Sequence, residues 1–473
     1  MSTSDEAPGA DAAADAGAAT ASASEDPRVL RPIIVASSLG TLFEWYDFYL
    51  YGSLAVFFGG LFFPKGNETA QLLASLATFG AGFGVRPLGA VVFGYIGDRV
   101  GRKYTFLITM ATMGLSTAFI GLLPTYDRIG IWATVALVTL RLLQGLALGG
   151  EYGGAATYVA EHVPDRKRGY YTSYIQTTAT LGFFLSMGII GTARLGLGEA
   201  DFRRFGWRLP FLLSFVLVAV SLWIRVRMRE SPLFSRLKAS GKASLNPLRE
   251  SFANPTNRRY VLIALLGATA GQGVVWYTGQ FYALTFLQAG LKLPWKNAYI
   301  LVSIALALAT PLFIFFGWLS DRIGRKRIML AGCALAALTY VPIYMGLTAL
   351  TNPHGLKIAA PGTGAQVGIV ALLFVQMIYV CMVYGPIAAF LVELFPTRIR
   401  YTSMSIPYHL GNGWFGGFLP LIATALTTSA WAREHLGKHA RYAGLAYPIA
   451  VCLLTLVVGG LFIRETRDHK IDV

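Results

Sequence analysis

The stretch GYIGDRVGRK at residues 94–103 recurs as GWLSDRIGRK at residues 317–326, and six of its ten positions are identical. A second element repeats with it, because EHVPDRKR at 161–168 corresponds to ELFPTRIR at 393–400. Repeats in the same order indicate duplicated structural units. The sequence therefore predicts two related halves, each carrying one copy of both elements.

The composition predicts that both halves lie in a membrane. Of 473 residues, 55% are hydrophobic and only 14% are charged, whereas a soluble domain carries about 25% charged residues. The hydrophobic residues come in twelve blocks of about 20, the length that spans a bilayer core of about 30 Å. We therefore expect an all-α membrane protein with twelve transmembrane helices in two six-helix bundles.

The longest polar connection marks the boundary between the halves, and the first residues are rich in alanine and acids without lysine or arginine. An N-terminal segment of this composition lacks the basic region of a secretory signal. We expect a disordered cytoplasmic tail over 1–30, an N-terminal bundle over 31–228, a cytoplasmic linker over 229–258, a C-terminal bundle over 259–465 and a cytoplasmic tail over 466–473.

The net charge of +16 would fit a nucleic-acid partner, but it has a simpler explanation here. Loops on the cytoplasmic side of membrane proteins are enriched in lysine and arginine. Most of the 40 basic residues fall on the even-numbered connections and the chain ends. We expect a multi-pass protein with both termini in the cytoplasm and no nucleic-acid partner.

Five charged residues, Glu44, Asp47, Arg86, Arg141 and Glu151, fall within the predicted spans of the first half. Each would cost about 2.5–3.5 kcal/mol at a helix centre, so they should face the bundle interior and pair. Two cations cannot neutralise three carboxylates. We therefore predict proton coupling at Asp47, Glu44 or Glu151, the alternative being a static network that fixes helix packing.

Arg86 and Arg141 are suited to binding an anion and not to carrying a proton. Arginine keeps its proton at accessible pH, and its planar guanidinium group binds a carboxylate through two hydrogen bonds. The spans of the second half offer aromatic and amide groups instead of interior charges, apart from His409, which we expect to be a packed histidine rather than a proton relay. The predicted substrate-binding residues are Arg141, Arg86, Gln144, Tyr51, Gln272, Trp276, Tyr277, Gln280, Tyr379 and Asn412.

The repeated elements are candidates for a gate. Asp98 and Asp321 lie near the C-terminal ends of predicted helices, where the helix dipole disfavours an anion. Each needs a cationic or helix N-terminal partner, and such a contact can break when the halves move apart. The predicted gating residues are Asp98, Arg99, Gly101, Arg102, Glu161, Asp321, Arg322, Arg325, Glu393 and Arg398.

The repeated Gly-x-x-x-Asp-Arg-x-Gly-Arg-Lys resembles the cytoplasmic signature of the major facilitator superfamily. EWYDF at 44–48, RPLG at 86–89, RLLQG at 141–145, GGEYGG at 149–154 and RESPLF at 229–234 together resemble its metabolite:proton symporter family. That family includes citrate, α-ketoglutarate, shikimate and proline/betaine transporters. The resemblance implies the superfamily fold and transport by alternating access, but it leaves the substrate open.

We therefore expect a proton-coupled symporter that imports a small mono- or dicarboxylate across a bacterial inner membrane. A symporter of a zwitterion such as proline or betaine, an exchanger or uniporter, and a transporter-like receptor remain alternatives. The chain has no P-loop motif, which argues against ATP-driven pumping, and we expect no enzymatic activity. Its expected partners are the substrate, protons and the lipid bilayer; we expect a functional monomer without a metal or cofactor.

Overall fold

The computed structural model describes residues 41–100, 102–150, 152–161, 163–226, 247–351, 361–396, 399–469 and 471. The predicted tail over 1–30 and most of the linker over 229–258 lie outside these ranges, as do Gly101, Glu151 and Arg398 and the side chains of Asp98, Arg99 and Arg102. Within the described ranges the chain is helical and contains no strand.

The first half contributes six long helices, some of them interrupted. They are α1 (41–53 and Ala55–Phe62), α2 (Glu68–Gly84 and Arg86–Val100), α3 (Arg102–Leu122), α4 (Ile131–Gly149 and Tyr152–Ala160), α5 (Arg168–Asp201) and α6 (Arg208–Leu212 and Ser214–Val226). The interruption of α2 comes directly before Arg86, so this arginine begins a new helical segment.

The second half repeats the pattern. Its helices are α7 (Pro255–Gly290), α8 (Trp295–Ile323), α9 (Arg325–Thr351), α10 (Thr363–Tyr384 and Ile387–Leu394), α11 (Arg400–Leu410, Gly411–Gly416 and Leu419–Thr428) and α12 (Ala446–Phe462). A short helix, Pro247–Ala253, precedes α7. In the described part of the chain, eight helical stretches are long and apolar enough to cross a membrane.

Glycines allow α2 and α4 to touch through their backbones. A Cβ atom on Gly145 would lie 1.7 Å from the Gly82 carbonyl oxygen, and one on Gly149 would lie 2.1 Å from the carbonyl oxygen of Arg86. Small residues permit such close helix contacts in membrane bundles. The contact holds Arg86 on α2 near Arg141 on α4.

The helices α7 and α11 contain π-helical turns. In α7 these are Leu265–Thr269, Thr278–Tyr282 and Phe286–Gly290, and in α11 the turn is Gly411–Gly416. A π turn adds a residue to the helical turn, and such turns often occur at functional sites. Here they lie on two helices of the second half that contact α1 and α2 of the first.

Candidate functional site

Two arginines lie at the centre of the first half, each packed against aromatic rings. The guanidinium carbon of Arg86 is 3.9 Å from the ring centroid of Phe83 and 4.8 Å from that of Phe48. The guanidinium carbon of Arg141 is 4.3 Å from the Phe48 centroid and 4.6 Å from that of Tyr51. Both arginines are buried, and cation–π contacts stabilise such desolvated cations.

Neither arginine has its hydrogen-bonding capacity filled. Arg141 donates from Nη1 to Oε1 of Gln144 at 2.8 Å, and Gln144 donates from Nε2 to Thr117 at 2.6 Å. Among the described residues, the Nε and Nη2 atoms of both arginines have no hydrogen-bond partner. Among the described residues neither guanidinium forms an ion pair. In the described part of the chain, aromatic faces and a neutral amide surround Arg86 and Arg141. Glu151 lies outside the described residues, so the pairing of the interior charges stays a prediction.

Asp47 points away from these arginines. Its carboxylate is buried and accepts a hydrogen bond from the Ser214 hydroxyl of α6. A Cβ atom on Gly114 of α3 would lie 3.3 Å from Oδ2 of Asp47, so the side chain is directed towards α3 and α6. Among the described residues no cation pairs with Asp47. Glu44, one helical turn earlier, is also buried.

Three predicted substrate-binding residues of the second half are held by their neighbours. Gln272 and Asn412 donate to each other, at 3.1 and 2.9 Å. The Tyr379 hydroxyl accepts a hydrogen bond from Thr339 of α9 at 3.0 Å. In this conformation these contacts tie α7 to α11 and α10 to α9.

Other second-half residues reach the interface with the first half. The Trp276 ring stacks on Tyr49 of α1 with centroids 5.5 Å apart, and the Tyr277 ring meets Phe83 of α2 edge-on at 5.0 Å. The Trp276 indole nitrogen and both amide atoms of Gln280 are buried, and no described residue forms a hydrogen bond with them. Together with the arginines, they place unpaired polar atoms from both halves at the centre of the bundle.

Three further residues of this central region are buried and carry polar atoms without a good hydrogen bond among the described residues. Tyr49 was not predicted, whereas Gln376 and His409 are interior polar residues of the second half that were not assigned to the substrate site. Tyr384 also belongs to it, since its ring lies 6.2 Å from Trp276. Tyr51, by contrast, donates to the Ser75 carbonyl oxygen at 3.1 Å. Polar residues inside apolar spans were the available signal for Gln376 and His409.

Asp321 joins the halves at one end of the bundle, which we call the motif face and define by Asp321, Glu393 and Glu161. Its carboxylate accepts hydrogen bonds from the backbone N–H groups of Gly169 and Tyr170, both at 2.8 Å, and pairs with Arg325 at 2.6 Å. The first turn of α5 supplies those N–H groups. Asp321 thus has both a helix N-terminal and a cationic partner.

Two ion pairs cross between the halves at the motif face in a reciprocal arrangement. Nη1 of Arg168 lies 3.1 Å from Glu393, and Nη1 of Arg400 lies 3.3 Å from Glu161. These arginines occupy the last position of the repeated eight-residue element. The predicted gating residue Arg398 lies outside the described residues. Arg400, at the last position of the second copy of the element, was not among the predicted gating residues. Arg322, another predicted gating residue, lies over the Trp318 ring at 4.1 Å.

The segment after α12 reinforces the same face. Thr466 donates to Glu393 at 2.7 Å, and Glu465 accepts from the backbone N–H of Arg325 at 2.8 Å. The carbonyl oxygen of His469 accepts from Arg168 at 3.4 Å. The motif face is therefore closed by contacts from both halves and from the chain end.

The opposite end of the bundle has a cleft of about 450 Å³ between α1 and α2 on one side and α7 and α11 on the other. Its walls include Phe57, Gln71, Tyr282, Gln288 and Thr427. The described structure thus combines a closed motif face with a cleft at the other end. The central residues lie between the two.

Comparisons with known proteins agree with this architecture. The sequence profile of the Major Facilitator Superfamily matches residues 38–406. The inner membrane metabolite transport protein YhjE of Escherichia coli K12 is 36% identical over 446 residues, covering 93% of this chain and 95% of its own. From the same organism, an alpha-ketoglutarate permease is 34% identical, covering 83% and 86% of the two chains, and a proline/betaine transporter is 32% identical, covering 94% and 86%.

Among solved structures, the proton:xylose symporter XylE bound to 6-bromo-6-deoxy-D-glucose superposes with a TM-score of 0.70 at 17% identity. The superposition covers 93% of this chain and 97% of XylE. At this level of identity, the similarity shows a common fold.

Proposed function

The chain belongs to the Major Facilitator Superfamily and is a multi-pass membrane transporter, not an enzyme; from this premise we propose that it imports a small carboxylate together with a proton. Transport proceeds by alternating access, in which the two halves expose a central site to one side and then to the other. The protein resides in a bacterial inner membrane with both termini in the cytoplasm.

The two interior arginines carry the proposal for the substrate. Arg86 and Arg141 are buried cations with unpaired N–H groups and without a described counter-ion. A buried charge is costly unless it is paired. A carboxylate ligand supplies the missing negative charge and accepts two parallel hydrogen bonds from a planar guanidinium group. The resemblance to an alpha-ketoglutarate permease supports the same class of substrate.

Asp47 is our candidate for the proton carrier. The hydrogen bond that holds its carboxylate comes from a neutral hydroxyl, that of Ser214. A carboxylate in this setting can take up and release a proton without breaking an ion pair with a cation. Glu44, one helical turn away and also buried, is the second candidate.

The motif-face contacts support the proposed gate. Asp321, Glu393 and Glu161 hold the halves together at one end, and the cleft opens between the halves at the other. In the alternate state these contacts break, and the cleft closes.

A zwitterionic substrate is the second candidate, and the aromatic cluster favours it. Trp276 lies between Tyr49 and Tyr384, at 5.5 and 6.2 Å between centroids. Aromatic faces bind quaternary ammonium groups through cation–π attraction. A proline/betaine transporter is also among the relatives.

Transport in proteoliposomes tests both candidates. With an imposed pH gradient, the wild type should accumulate α-ketoglutarate or shikimate more strongly than proline or betaine. Asp47→Asn should abolish accumulation but retain part of the counterflow, which requires only substrate movement between two loaded sides. Asp127→Asn is the matched control, because Asp127 pairs with Lys65 at the exposed surface.

The proton proposal fails if Asp47→Asn and Glu44→Gln both concentrate the substrate as well as the wild type does. The protein would then be a uniporter whose interior charges stabilise its fold. Preferential uptake of proline or betaine would instead establish the zwitterion as the substrate.

A further inference from the structure

His409 of α11 is buried, with 1% of its surface exposed. Its ring faces the Gly149 backbone, but among the described residues neither ring nitrogen makes a hydrogen bond of good geometry. Leaving a buried donor or acceptor unsatisfied costs about 1–3 kcal/mol. A histidine that only packs in a core would be expected to satisfy at least one nitrogen. The interpretation of His409 as a packed histidine leaves the weak hydrogen bonding of its ring without a reason.

Neighbouring residues on α11 show which way His409 faces. Ser405 and Gly413 lie one helical turn on either side of it, and residues at this spacing share a helix face. A Cβ atom on Gly153 of α4 would lie 2.1 Å from the Ser405 hydroxyl oxygen, and one on Gly413 would lie 2.5 Å from the carbonyl oxygen of Phe83 on α2. His409 therefore faces the first half, between α2 and α4.

Arg86 lies on that part of the first half. The backbone of Gly149 touches that of Arg86. The His409 ring faces the Gly149 backbone, and the Arg86 guanidinium is near enough to act on the ring electrostatically. Arg86 has unpaired Nε and Nη2 atoms. An unpaired guanidinium from the first half and an unpaired imidazole from the second thus share one buried region.

We propose that His409 is a substrate-binding residue and that Arg86 and His409 bind the same carboxylate group of the substrate, one from each half of the protein. The inference rests on the proposed function, because it requires an anionic substrate. A neutral imidazole offers one N–H donor and one acceptor nitrogen, and a carboxylate can accept from several donors at once. A ligand held from both sides favours the conformation in which the halves are close together.

Ligand binding to the purified protein tests this inference. The probe is whichever of α-ketoglutarate and shikimate raises the unfolding temperature of the wild type more, together with its uncharged methyl ester. His409→Leu should bind the acid at least about tenfold more weakly and lose the preference for acid over ester. His409→Met provides a second apolar side chain in case the leucine variant does not fold.

Two further variants separate binding from packing. His409→Gln keeps an N–H donor and should bind the acid within about threefold of the wild type. His435→Leu is the matched control, because His435 is exposed and bonds to the Trp431 carbonyl oxygen within the short helix Ala430–Leu436, which precedes α12. This control should leave both affinities unchanged.

The outcomes distinguish this inference from the proposed function. If the wild type binds the acid and a folded apolar variant binds it equally well, the role of His409 is refuted and the proposed function stands. If no carboxylate binds the wild type while proline or betaine does, the proposed carboxylate substrate is refuted, and the role of His409 with it.

Discussion

Glu393→Gln should open the motif face while keeping the size of the side chain. The Glu393 carboxylate is buried and accepts hydrogen bonds from Arg168 at 3.1 Å, from Arg325 at 3.0 Å and from Thr466 at 2.7 Å. Of these three donors, only Arg168 belongs to the first half. The bond between Arg168 and Glu393 must therefore break when the halves separate at this face.

The free energy that the closed motif face loses in Glu393→Gln depends on the partners that Arg168 and Arg325 keep. Removing one member of a buried ion pair can cost about 3–5 kcal/mol when the other charge is left alone. Here Arg168 keeps its contact with Asp165, and Arg325 stays 2.6 Å from Asp321. The cost is then that of a charged hydrogen bond, about 2 kcal/mol. Because the loss falls on the closed state, the equilibrium between closed and open should shift about 30-fold.

Cysteine labelling measures this shift. Thr157 is buried on α4, and its hydroxyl contacts the Met404 sulfur of α11 at 3.4 Å. In a background without the three native cysteines, Thr157→Cys should react with a bulky hydrophilic maleimide about 30-fold faster when Glu393→Gln is added. Glu434→Gln, at an exposed position, is the control. An unchanged labelling rate in a folded Glu393→Gln variant would refute the reasoning.

Arg141→Lys keeps the charge but loses the planar fork, so calorimetric titration should show carboxylate binding weakened by about 1.5–3 kcal/mol; unchanged affinity would remove Arg141 from the site. Gly145→Ala should lower the unfolding temperature in detergent, because its Cβ would lie 1.7 Å from a backbone oxygen of α2. Gly188→Ala, with no atom within 4 Å, should not lower it. Reporter fusions at Arg128 should report outside the cytoplasm and those at Asp165 inside; the reverse pattern would invert the proposed orientation.

Much of the fold could be predicted from the sequence because its signals are long and repeated. A twenty-residue apolar block has few alternatives to a membrane helix, and two elements repeated in the same order indicate related halves. The sequence also predicted the type of partner that Asp321 needs, a cation or a helix N-terminus, since its place near a helix C-terminus disfavours an isolated anion. Which helix supplies the N–H groups depends on how the halves dock.

The arrangement of the side chains in the central region was harder to predict from the sequence. Position along a span gives the depth of a residue in the bilayer, but not the direction in which its side chain points. Asp47 and Arg86 both fall within predicted spans, yet Asp47 faces Ser214, while its sequence neighbour Phe48 contacts Arg86. Likewise, the bond between Gln272 and Asn412 joins residues 140 positions apart, and no local pattern indicates it.

The reciprocal ion pairs at the motif face have a consequence for the origin of the chain. Glu161 and Glu393 are equivalent in the repeat, and so are Arg168 and Arg400; each glutamate binds the arginine of the other half. This exchange is the contact pattern of a two-fold symmetric homodimer, as expected if a six-helix ancestor first assembled in pairs and its gene later fused in tandem. Each half alone lacks two of these partners. The halves expressed as separate polypeptides should therefore recover their contacts by assembling with each other.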